Sequence, residues 1–134
     1  MWSHYADKHR GICLEFDKGN DLIGSAMEVT YRKTYPEWTD PLAMPHLLDV
    51  LSTKSADWCY EREFRIFGVP LEGPLKIYDD DFVRLPDGAL TAIIVGTASD
   101  CYDEVTRIVK AHAPSVLVKR AKKVHYSYSL AVED

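Results

Sequence analysis

Alternating apolar and polar side chains predict a strand over Gly11 to Phe16: Ile12, Leu14 and Phe16 alternate with Cys13 and Glu15, and Lys18-Gly19-Asn20 follows with turn chemistry. Met27, Val29 and Tyr31 repeat the two-residue period and predict a second strand over Met27 to Arg32. The two lie close enough in sequence to pair, although nothing in the pattern fixes that pairing. Pro36, Pro41 and Pro45 make the next stretch a loop. A helix then starts near Pro45 and runs to about Ser52, with Leu47, Leu48 and Leu51 as its apolar stripe.

The segment SADWCYEREFRIFGVP reads mainly as a strand from about Cys59 to Val69, with Phe64 and Ile66 on one face and Glu63 and Arg65 on the other. Its first turn also admits a helical reading. LKIY and DFVRL flank Asp79-Asp80-Asp81 and predict a hairpin or meander. The run LTAIIV, Leu90 to Val95, has the continuous apolar character of a central strand covered on both faces.

Gly96 breaks that strand, and Asp100 is the expected N-cap of a helix over Cys101 to His112 that turns Val105, Ile108 and Val109 inward. Pro114 stops the helix, and Val116 to Lys119 predicts a further strand. Strand, helix and strand in that order make a βαβ unit, for which parallel pairing through a right-handed crossover is strongly preferred. Tyr126 to Val132 closes the chain as a half-exposed edge strand. The expected class is α+β: a single domain over residues 1–134 with one curved mixed sheet, two or three helices and a C-terminal βαβ unit.

Composition supports a globular domain without changing its outline. The chain has 134 residues, 46% of them apolar and 28% charged, enough for a hydrophobic core without staples. No apolar run is long enough to span a bilayer, and the first twenty residues carry Asp7, Glu15 and Asp17 instead of a signal peptide's uninterrupted apolar core, so a cytoplasmic protein with no membrane association is expected. Cys13, Cys59 and Cys101 are odd in number and widely spaced, which predicts core thiols in a reducing compartment instead of a disulfide or zinc framework.

Charge adds a polarity. The net value is -5, yet Glu72 to Glu104 holds eight acids against Lys76 and Arg84, whereas Val105 to Val132 holds six Lys or Arg and no acid. Lys119-Arg120-Ala121-Lys122-Lys123, near His125, Tyr126 and Tyr128, mixes cations with aromatics as nucleic-acid binders do. An exposed basic turn and an acidic total weigh against that partner. The loop Gly96-Thr97-Ala98-Ser99 before a helix is no phosphate-binding motif, and Asp100 would repel an anion there.

Two clusters carry candidate chemistry. If Tyr60 to Arg65 is extended, Glu61, Glu63 and Arg65 share a face, and two carboxylates beside a guanidinium could stabilise an oxocarbenium ion or activate a nucleophile. The alternative is a solvated strand face laced by cross-strand ion pairs. His4, Tyr5, Asp7 and His9 could converge on a metal, but no fourth ligand is evident, so a structural histidine or a substrate-contacting His4–Tyr5 pair is the better reading and no metal is assigned. Trp2 and Trp58 read first as core or rim aromatics.

Three blocks together, MWSHYADKHRGICLEFD, TKSADWCYEREFRIF and LTAIIVG, resemble a bacterial family catalogued as a domain of unknown function. Its members share patterns of the form MWxHYAxxHxGxCLxFD and KSxxWxYExExR. The resemblance implies a longer architecture with a preceding N-terminal region, of which residues 1–134 would be the C-terminal part or a short version. The family is also remotely similar to ADP-ribosyltransferases, which implies NAD as cofactor or substrate. Under that analogy Glu63 is the catalytic carboxylate and Glu61 its helper, while His4, Tyr5, Arg65 and Trp58 bind substrate. The reading from another class is a non-catalytic interaction module, a homodimer formed through an edge strand.

Overall fold

The computed structural model describes residues 1–37, 44–68 and 82–133. In chain order its elements are α1 (Trp2–Tyr5), β1 (Ile12–Phe16), α2 (Asp21–Gly24), β2 (Met27–Glu28), β3 (Thr30–Arg32), α3 (Met44–Leu51) and β4 (Thr53–Ser55). A 3-10 turn (Ala56–Glu61) follows, then β5 (Phe64–Arg65), β6 (Leu90–Val95), α4 (Tyr102–His112), β7 (Leu117–Lys123) and β8 (Leu130–Glu133). The α+β class is as expected. Two compact units divide the chain: unit 1 is Met1–Asn20 with Leu85–Asp134, and unit 2 is Asp21–Arg84.

Unit 1 is a four-stranded mixed sheet in the order β1-β6-β7-β8. The continuous apolar run at β6 sits inside the sheet, antiparallel to β1 and parallel to β7 through α4, so the βαβ reading holds. Ala92, Ile94, Val95, Val109 and Ala121 are buried. The helix begins one residue later than expected: Cys101 is its N-cap, and Ser99 Oγ accepts the Cys101 N–H at 3.4 Å. Val109 is its buried residue, whereas Ile108 is exposed, contrary to the inward stripe.

The structure settles one pairing that the pattern left open in this unit and corrects two expectations. β1, whose partner the pattern left open, pairs with β6. Lys119 to Lys123 is not a basic turn but the body of β7, and the alternation of a strand sends its cations in two directions. The C-terminal strand starts at Leu130 instead of Tyr126, since Tyr126 has φ 56° and stands in the turn, where Ser129 N–H bonds Ser127 Oγ at 3.0 Å. Asp7, Lys8 and His9 form a turn of three successive left-handed residues (φ 41°, 52° and 71°).

That left-handed turn is clamped on the end of β6. Ala98 N–H donates to His9 O at 3.0 Å, Gly96 N–H to Gly11 O at 3.0 Å, and Gly11 N–H to Ala6 O at 2.9 Å. A Cβ on Gly96 would stand 2.2 Å from His9 O, so only glycine admits the approach.

Unit 2 contains two short ladders, β2 antiparallel to β5 and β3 parallel to β4. The single strand expected over Met27 to Arg32 is split at Val29, because its two halves bond to different neighbours. Val29 N–H donates to Glu63 O at 2.9 Å and Thr30 N–H to Ser52 O at 2.8 Å. Val29 is buried, while Met27 on the same expected face is exposed.

The helix α3 lies where the prolines and leucines place it, but Leu51 is 41% exposed and leaves the expected stripe. Its end is closed locally. Ser52 Oγ and Thr53 Oγ1 each donate at 2.6 Å, to Leu48 O and Asp49 O, satisfying carbonyls that the helix leaves without partners.

The strand expected from Cys59 is overturned as far as Glu61. Ser55 Oγ accepts the Asp57 N–H at 3.4 Å and starts the 3-10 turn, and Arg62 ends it in the left-handed region (φ 48°). Among the described residues of this segment only Phe64–Arg65 is a strand, and Phe64 is 60% exposed. Val69, the LKIY segment and the Asp79–Asp81 turn lie outside the described residues.

Candidate functional site

Lys54 is the hub of unit 2. It sits in the middle of β4, and the 3-10 turn followed by left-handed Arg62 folds the chain back so that both Glu61 and Glu63 reach it. Lys54 Nζ donates to Glu61 Oε2 and, at 2.9 Å, to Glu63 Oε2. Glu63 is also gripped by Arg65, whose Nε reaches Oε1 at 2.6 Å and whose Nη2 reaches Oε2 at 3.2 Å. Arg65 Nη1 in turn donates to Leu51 O. Glu61, Glu63 and Arg65 therefore meet through a charge network and not as one strand face, which corrects the extended reading.

The surroundings stiffen this network. The Glu61 side chain is 3% exposed, so its carboxylate is placed in a low-dielectric setting where a paired charge matters most. Tyr31 Oη accepts the Glu63 N–H at 2.8 Å and fixes the backbone between the two carboxylates. Lys54 Nζ stands 5.4 Å from the Trp58 ring centroid, within cation–π range, and Trp58 meets Tyr60 at 6.0 Å.

Charge follows geometry. The Arg65 guanidinium foremost, and then the Lys54 ammonium, outweigh desolvation and hold the Glu63 carboxyl at about 2, well below the usual carboxylate range. Hydrogen bonds to Glu61 and Glu63 raise Lys54, and that to Glu63 raises Arg65. Glu63 is thus an anion throughout the neutral range. It suits electrostatic stabilisation of a cation, whereas a general acid at neutral pH needs a raised pKa.

Beside the network lies a groove of about 230 Å³, lined by Arg32, Lys33, Tyr35, Val50, Thr53 and Lys54 among others. Tyr35 is 96% exposed and presents its ring to solvent. Arg32 is held by Asp49 through two hydrogen bonds of 2.8 and 3.3 Å. Lys54 belongs both to the groove wall and to the carboxylate network.

Of the six residues named from sequence, Glu61, Glu63, Arg65 and Trp58 gather around Lys54 in unit 2. His4 and Tyr5 stand exposed in α1 of unit 1. Lys54 and Tyr31 carried no assigned role. The signal for Lys54 was present, since KSxxWxYExExR written over this chain runs from Lys54 to Arg65 and contains every charged member of the network. Tyr31 had no such signal, being 32 residues from Glu63 in sequence.

The basic segment is already engaged. Lys119 Nζ lies 3.4 Å from Glu15 Oε1, Lys122 pairs with Glu133, and the Arg120 guanidinium stacks 4.7 Å from the Tyr102 ring centroid. Among the described residues no three His, Cys, Asp or Glu side chains are grouped to hold a metal ion, and no helix is long and apolar enough to cross a membrane.

No curated protein and no solved structure matches the chain. Residues 1–66, which include the whole Lys54 to Arg65 network, match the family described as Protein of unknown function (DUF2971).

Proposed function

We propose that unit 2 is a nucleotide-binding module of the NAD-using, ADP-ribosyltransferase-like kind, with Glu63 as its working carboxylate. The observation that carries this reading is the double membership of Lys54, which joins a groove wall to two carboxylates. The groove supplies what one end of a dinucleotide requires: the exposed Tyr35 ring for stacking, Lys33 for phosphate charge, and the Thr53 hydroxyl. Its volume, about 230 Å³, falls below the roughly 300 to 1,000 Å³ of sites that enclose a drug-sized ligand, so it fits part of a dinucleotide.

In this reading the nicotinamide–ribose C–N bond breaks and nicotinamide leaves with the electron pair. Ionised Glu63 stabilises the ribosyl cation, water or another nucleophile adds at its C1, and the attacking group loses a proton. Glu61 holds Lys54, and Arg65 orients Glu63. Nicotinamide release from NAD by the wild type, reduced at least a hundredfold in Glu63→Gln with an unchanged circular dichroism spectrum, supports the proposal. Equal release by both proteins overturns the role of Glu63.

A second reading, a non-catalytic homodimer, is favoured by β8, which ends the sheet order of unit 1 and exposes Val132. A light-scattering mass of two chains that reverts to one in Val132→Lys supports it. A monomer mass at high protein concentration rejects it.

A further inference from the structure

Unit 1 contains a cleft of about 540 Å³ that the reading of unit 2 does not use. Trp2, Ser3 and His9 line it from one part of the chain, and Lys123, Tyr128 and neighbouring turn residues line it from another. The Trp2 and His9 rings are nearly parallel, 5° apart in plane with centroids 6.4 Å apart, so they stack on one another and give the cleft an aromatic wall. Tyr128, which also lines the cleft, is fully exposed and presents its ring for stacking.

Backbone strain is concentrated beside the cleft. Asp7, Lys8 and His9 are all left-handed without being glycine, and Tyr126, also left-handed, belongs to the turn that supplies Tyr128. Backbone hydrogen bonds to the end of β6 hold His9 in that conformation, so the wall is built before any ligand arrives.

We propose that this cleft is a ligand site in its own right, taking a planar aromatic ring that bears an anionic group. The ring would lie against Trp2–His9 and Tyr128, with the anion at Lys123. A mononucleotide and an aromatic carboxylate share that chemistry. Residue-resolved NMR titrations with adenosine monophosphate, 2-naphthoate and inorganic phosphate separate them from each other and from binding in unit 2.

The expected result is saturable shifts at the Trp2 indole and His9 ring signals with one or both aromatic anions, and none with phosphate alone. Tyr128→Ala and Lys123→Met, both at exposed positions, should each weaken binding about tenfold. Shifts with neither aromatic anion, shifts confined to Tyr35 and its neighbours, or unchanged affinity in both variants would overturn the proposal.

Discussion

The Lys54 ammonium and the Glu63 carboxylate meet at 2.9 Å although their elements are joined by a left-handed residue, Arg62, that no apolar pattern announces. Because Arg62 reverses the chain immediately after the 3-10 turn, Glu61 and Glu63 approach the same nitrogen from both sides. The candidate chemistry of unit 2 depends on that reversal.

Acid should undo this network before it undoes the rest of the fold. The Glu63 pKa is lowered from 4.5 to about 2, so its contribution to stability is complete above about pH 4.5 and is lost as pH falls toward 2. Lys54 is raised above 10.5, so its contribution is complete below that pH and is lost only in stronger alkali. Thermal melts of wild type and Glu63→Gln should differ by a constant amount from about pH 5 to about pH 9, and the difference should shrink below about pH 4. A gap that widens in acid would contradict the assignment.

Tyr31→Phe removes the oxygen that accepts the Glu63 N–H and nothing else of size. Urea unfolding should show a loss of about 1 kcal/mol. Amide exchange at Glu63 should also quicken relative to Val29, whose N–H bonds to Glu63 O.

Gly96→Ala places a methyl 2.2 Å from His9 O, a contact with backbone that no rotamer relieves. The substitution should cost about 1 to 3 kcal/mol in urea and shift the His9 and Trp2 NMR signals, while Gly88→Ala, where no atom lies within 4 Å but φ is 75°, should cost about 1 kcal/mol with those signals unmoved.

The helix stripe gives a sharper contrast. Val109→Ala empties a buried site and should cost about 2 kcal/mol, whereas Ile108→Ala, at an exposed position, should cost less than about 1 kcal/mol. Equal losses in urea would mean that the sequence stripe, and not the observed burial, describes how α4 packs.

Elements with long apolar periods were legible in the sequence. β6, α4, α3 and β1 stand within a residue or two of their expected ranges, since a continuous or strictly periodic apolar run leaves one favourable conformation. The charged segment from Cys59 to Arg65 was not legible. Glu61, Arg62, Glu63 and Arg65 have no apolar period to impose, and capping by Ser55 together with pairing to Lys54 decided the local fold. The split at Val29 was hidden for a related reason: two residues per ladder are set by their partners more than by their own pattern. The candidate carboxylates were found from their chemistry, but Lys54, the cation that joins them, stands apart from Glu61 in sequence with no apolar period to tie the two together.

Calorimetric titration of NAD into the full chain, wild type beside Tyr35→Ala, tests the central claim most directly. The account predicts saturable heat in the wild type and binding about tenfold weaker without the Tyr35 ring. No heat with either protein, or equal binding by both, would contradict it.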